Sequence, residues 1–120
     1  MFKDRTKKLA LSVIRLVEDL PQRRAANVIG KQLLRSATSI GANYRAACRG
    51  RSTADMIAKL GIVEEEADES VYWMELLSES ELVPQASMTG LLKETGEIIA
   101  MTVASIKTLR NPKSAIQNQK

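Results

Sequence analysis

Apolar residues recur along this chain every three or four positions, in four stretches separated by proline- or glycine-bearing breaks. That spacing is the signature of amphipathic helices, not of alternating strands. Phe2, Thr6, Leu9, Val13, Leu16, Val17 and Leu20 define one face of the first stretch, and Pro21 ends it. Ala25, Ala26, Ile29, Leu33, Ser36, Ile40, Tyr44 and Ala47 line the second, up to the Arg49-Gly50-Arg51 turn. Met56, Leu60, Val63, Ala67, Val71 and Met74 line the third, which Val83-Pro84 closes. Met88, Leu92, Ile99, Val103 and Ile106 line the fourth, before Asn111-Pro112. The pattern predicts helices over 2–20, 23–49, 53–80 and 85–110. Connections this short place successive helices antiparallel, so the expected fold is all-α, an up-down-up-down antiparallel four-helix bundle.

Local chemistry agrees with these boundaries. Ser52-Thr53-Ala54-Asp55 fits a helix-start pattern in which Ser52 accepts from a first-turn amide. Gly50 stands where a helix end favours a left-handed residue. Gly41 and Gly61 fall inside helices, where each costs about 1 kcal/mol against alanine, and close helix approach is the expected compensation. The bundle domain is assigned to residues 1–110, and residues 111–120 read as a polar, disordered tail.

At 120 residues, with 44% hydrophobic content, the chain has the size and composition of one globular domain. No apolar run approaches the ~20 residues of a membrane span. The first helix begins with basic residues, but Arg15, Glu18 and Asp19 interrupt its apolar face. It therefore reads as a mature helix, not as a signal peptide. The single cysteine, Cys48, fits a reducing, cytoplasmic setting, and the expectation is a buried thiol.

The chain has no histidine, which removes the commonest general base and the commonest metal ligand. No phosphate-binding loop, dinucleotide fingerprint or calcium-loop spacing occurs. No residue set converges on a reaction. The expectation is a non-enzymatic protein with no catalytic, cofactor or metal site.

Charge is divided between the halves. Residues 1–51 carry 12 Lys/Arg against 3 Asp/Glu, and residues 52–110 carry 4 against 11. On the second helix Arg24, Lys31, Arg35, Arg45 and Arg49 fall within a stripe about 80° wide, away from the apolar face, with Thr38 and Ala42 between them. Away from the core face of the third helix stand Ile62, Tyr72, Trp73 and Leu76, interleaved with Glu65 and Glu69. Apolar anchors among carboxylates on one surface and arginines on another suit two halves of a subunit contact. Arg35, Arg45, Ile62, Glu65, Glu69, Trp73 and Leu76 are thus the expected interface. Because the two surfaces differ, contact would be head-to-tail and would close a ring or run on as a filament. The alternative is a monomer or dimer whose Arg–Glu pairs are internal. Glu64 projects near the core face and is expected to pair with an arginine or Asn43.

Gln32-Leu33, Arg35-Ser36-Ala37, Ser39-Ile40 and Ala42-Asn43, followed by Arg51-Ser52 and Asp55, resemble the four-helix-bundle family of 23S rRNA intervening-sequence proteins. That family's pattern is approximately Q-L-x-R-S/A-A-x-S-I-x-x-N-I-A-E-G, then a basic turn and S-x-x-E-F. Glu69 falls where the family has a glutamate on its third helix. The chain departs from the pattern at Tyr44-Arg45-Ala46-Ala47, which replaces I-A-E-G, at Met56, which replaces phenylalanine, and at Glu65-Glu66, where a small pair is common. The resemblance implies a homopentameric ring without enzymatic activity. It also implies kinship in fold with the accessory protein of diversity-generating retroelements, a basic pentamer that associates with nucleic acid and a reverse transcriptase.

Two function classes remain open. One is an accessory scaffold that binds RNA or DNA through a basic rim. The other is a protein-only assembly or regulatory module. A pI near 9.4 favours the first, and an aromatic content of 3% argues that contact would be to phosphate rather than to stacked bases. If neighbours consume Arg35 and Arg45, the rim is left to Lys3, Arg5, Lys7, Lys8, Arg49 and Arg51. The antiparallel arrangement places these at one end of the bundle.

Overall fold

The structure, a computed structural model, describes residues 2–111. It contains α1 (Phe2–Glu18), α2 (Arg24–Cys48), α3 (Thr53–Glu79) and α4 (Gln85–Arg110), in a rod of 52 × 24 × 19 Å. Among the described residues there is no strand. Of the expected tail, 111–120, residues 112–120 lie outside the described residues.

Cross-helix contacts give the topology. Phe2 stacks on Tyr44 with ring centroids 4.2 Å apart, and Leu20 packs over Gly30, so α1 and α2 run antiparallel. The Ser36 and Ser70 hydroxyls meet at 2.8 Å, while Ala47 and Leu60 share a cluster farther along, so α2 and α3 are antiparallel too. Thr95 reaches Met74, and Ile106 packs with Leu60, which reverses α4 against α3. Arg5 reaches Glu94 and Glu97, returning α1 to α4 and closing an up-down-up-down bundle.

The apolar faces expected of α1 and α2 meet in one core. Leu9, Val13, Leu33, Ala37, Ile40, Val63, Ala67, Met74, Leu77, Val83, Met88 and Ile98 are buried together. Ala25, expected on that face, is exposed, and Gly30 and Ala37 are buried in its place. On α4 the prediction shifts by one position. Thr95, Ile98 and Thr102 are buried, whereas Leu92, Ile99 and Val103 are half-exposed. Threonine can line a helix core because its hydroxyl bonds back to its own turn. Thr95 and Thr102 donate to the carbonyls of Leu91 and Ile98, each at 2.7 Å.

The α2–α3 turn follows the expected cap with one difference. Ser52 Oγ accepts from the Asp55 amide at 3.1 Å, and Asp55 accepts from the Arg51 amide at 3.2 Å. Gly50, however, does not adopt a left-handed conformation. Its reason is steric: a Cβ there would lie 2.4 Å from Met56 Cγ and 3.0 Å from the Ala47 carbonyl oxygen. Gly41 does sit at a close approach, with its would-be Cβ 3.4 Å from Thr6 Oγ1, but nothing crowds Gly61.

Candidate functional site

The bundle's topology gathers the first turns of α1, the last turns of α2 and the last turn of α4 at one end. Arg49 and Arg51 stand at that end, and Lys3 and Lys7 lie farther in along α1, beside Thr38, Gly41 and Arg45. Lys107 and Arg110 join Arg49 and Arg51, because α4 terminates beside Ala47 and Cys48. The same topology implies their placement, although both lie in the acidic half of the sequence.

The structure divides the expected cationic rim into paired and unpaired members. Arg5 turns towards α4. Its Nε and Nη2 grip the two Glu94 oxygens at 3.0 and 2.6 Å, Nη2 also reaches Glu97 at 3.0 Å, and Nη1 touches Met101 Sδ at 3.0 Å. Hydrogen bonding to Glu94 and Glu97 raises the Arg5 guanidinium above its ordinary value, and the same Arg5 bond holds the Glu94 carboxyl below its own. A guanidinium with its fork already filled by carboxylates is a poor phosphate ligand, so Arg5 drops out of the free rim. Lys8 lies on the same side of α1, lining the α1–α4 groove with Arg15, Asp19 and Glu94.

Lys3 and Lys7 turn the other way. They line an α1–α2 groove of about 360 Å³, and Arg45 lines it from α2. Among the described residues, Lys3, Lys7, Arg45, Arg49 and Arg51 have no side-chain ion pair.

The two arginines expected at a subunit contact are thus parted. Arg35 bonds Glu69 and, at 3.1 Å, Glu66 of its own chain, tying α2 to α3. Arg45 faces α1 instead. On α3, Ile62 and Tyr72 are exposed, at 39% and 53%, beside the exposed Glu65. Trp73 and Leu76, expected to face away from the core, are half-buried, and Trp73 packs against the core. Tyr72 meets the Trp73 ring edge-on at 5.1 Å. The Trp73 indole N–H is buried and has no hydrogen-bond partner. Glu64 is half-buried with no ion pair among the described residues, and Asn43 donates to the Ser39 carbonyl at 2.8 Å instead.

Cys48 is exposed, contrary to the expectation of a buried thiol, because it is the last residue of α2 and stands at the rim beside the turn. Burial, and then the Cys48 thiol, push the Tyr44 hydroxyl above its ordinary pKa. Among the described residues no cluster of metal-ligating side chains occurs, and no helix is long and apolar enough to cross a membrane.

An antiparallel bundle with an unpaired basic end and an acidic flank of α3 defines this as an all-α four-helix-bundle protein. The chain belongs to the 23S rRNA-intervening sequence protein family, which matches residues 2–104. It is similar to a crystal structure from Bacteroides thetaiotaomicron, described as a protein with unknown function from the S23 ribosomal protein family. The two share 37% identity and a TM-score of 0.85, over 90% of this chain and 100% of that one. No curated protein matches the chain.

Proposed function

We propose that this protein is a non-enzymatic accessory scaffold. Copies assemble head-to-tail into a homopentameric ring, and the ring binds RNA or DNA through its basic ends, with a reverse transcriptase as one class of partner. The observation carrying this reading is the set of unpaired cations at one end of the bundle. Lys3, Lys7 and Arg45 lie along the α1–α2 groove that leads to this end, and Arg49 and Arg51 stand at the end itself, all without an ion pair among the described residues, while Arg5 and Arg35 are neutralised within the chain. Helices whose ends carry uncompensated positive charge favour a polyanion, and repetition around a ring multiplies that attraction. Assembly is supported by Ile62 and Tyr72, exposed beside Glu65, and by the orphan Trp73 N–H, since a buried donor without an acceptor is costly.

A protein-only assembly is the second reading. It is favoured by the internal pairing of Arg5 and Arg35, which lowers the free positive charge. Purified protein separates the two: co-purifying nucleic acid raises the 260/280 nm absorbance ratio, and nuclease treatment lowers it again. Native mass spectrometry reads the ring. Tyr72→Ala with Ile62→Ser is expected to reduce the oligomer, because central aromatic anchors often carry about 2 kcal/mol or more. A monomeric wild type removes the ring, and wild type that binds neither nucleic acid at ~50 mM salt, low enough to favour phosphate contacts, leaves the protein-only module.

A further inference from the structure

The α1–α2 groove brings together three cations that the sequence had assigned to two different tasks. Lys3 and Lys7 come from α1 and Arg45 from α2, where Arg45 had been expected at a subunit contact. All three are exposed, and none has an ion-pair partner among the described residues. Lys3 and Lys7 are one helical turn apart, about 6 Å. Gly41 and Ala42 line the groove from α2, so little side chain stands between its cations. Asp4 is the one carboxylate lining it.

We infer that the α1–α2 groove is the track along which a nucleic-acid strand lays its phosphodiester backbone, with Lys3, Lys7 and Arg45 as the phosphate ligands. This rests on the nucleic-acid reading above and assigns it to a side groove in place of the bundle end as a whole. Three features favour that location. Cations on two helices face one another across the groove, so a phosphate inside it is approached from both sides. Small residues let a backbone come near the helix surface. The seven-residue interval from Thr38 to Arg45 on the groove wall spans about 10 Å at 1.5 Å per residue. That length accommodates more than one phosphate of a strand laid along it. The absence of an aromatic among the groove's lining residues makes the contact independent of base identity.

Two triple variants of equal charge change test the assignment, each checked for helicity and oligomeric state. One is Lys3→Gln/Lys7→Gln/Arg45→Gln, in the groove. The other is Lys8→Gln/Arg49→Gln/Arg51→Gln, outside it. Binding of mixed-sequence single-stranded RNA and DNA is followed by fluorescence anisotropy across a salt series. Each lost phosphate contact removes about 0.7 from the log–log salt slope for a single strand. The groove variant is therefore expected to lose about 2 units of slope and more than tenfold in affinity at low salt. The outer variant should lose distinctly less. Equal losses, or a larger loss in the outer variant, overturn the groove assignment while leaving nucleic-acid binding intact. A wild type that binds neither polymer overturns both, as does one that binds only vesicles of anionic lipid. If the groove variant does not fold, Asp4→Asn decides. Removing that carboxylate tightens binding about twofold or more if phosphates lie in the groove, by the ordinary effect of one nearby charge, and unchanged binding overturns the assignment.

Discussion

Along the α2–α3 seam, Leu33, Ser36, Ala37 and Ile40 and their counterparts Val63, Ala67, Ser70 and Met74 are all fully buried. The polar atoms there satisfy one another. The Ser36 and Ser70 hydroxyls share one hydrogen bond, and their other options are the Leu33 and Glu66 carbonyls at 3.2 and 2.9 Å. Along the α1–α4 seam the helices are parted by a groove of about 530 Å³, and Leu91 is only half-buried. Among the described residues, a single arginine bridges that seam, with Arg5 holding Glu94 and Glu97. Small side chains let two long helices close on each other, and dispersion and burial then hold them. A shorter α1, packed well on α2 only, needs a polar clasp on its other side. The lesson is that one bundle can contain a seam of high stability and one whose opening need not unfold the rest.

The comparison is most directly broken at the core. Met74→Ala is expected to destabilise the fold by about 2–5 kcal/mol, read as a fall in the urea midpoint. Such a loss is a large share of a domain's whole stability. A cost below about 1 kcal/mol would mean that the core α3 shares with its neighbours is not the stability determinant.

The paired serines sharpen it further. Ser36→Ala should cost about 1 kcal/mol, and adding Ser70→Ala should cost less than Ser70→Ala alone. Removing both partners leaves no orphan, so the double variant costs less than the sum of the singles. Strict additivity in the denaturation midpoints would show that the two hydroxyls do not act together.

The smallest effect belongs to the clasp. Arg5→Met should speed amide exchange in α1 without touching the most protected amides of α2 and α3. Its pH dependence has a definite sign. Arg5 depresses the Glu94 carboxyl in the folded state. The clasp's contribution is therefore complete above the unfolded carboxylate value, ~4.3, and is lost as pH falls through the folded one. Wild type and Glu94→Gln should differ most near neutrality and converge in acid, by thermal unfolding at successive pH values. A difference that persists undiminished at pH ~2, below both carboxyl values, would mean that Glu94 acts by packing rather than by charge.

The helices, their order and the Ser52 cap were legible in the chain because they follow from local rules. Pro21 and Pro84 stop or delay a helix through their own rings. Ser52 caps through an amide three residues away, and the three-to-four-residue period of α1 marks its face without reference to any neighbour. The α4 face was not legible in this way. Apolar residues surround that helix, at Leu91, Leu92, Ile98, Ile99, Met101 and Val103, so only its position against α1 and α3 selects Thr95, Ile98 and Thr102 for burial. The candidate site behaved likewise. Sequence alone placed the start of α1 on the half of the bundle where α2 ends, because the topology is antiparallel. It could not separate Arg5 from Lys7, or Arg35 from Arg45. Whether a cation meets a carboxylate depends on the register and rotation of helices distant in sequence, and only the tertiary structure sets these.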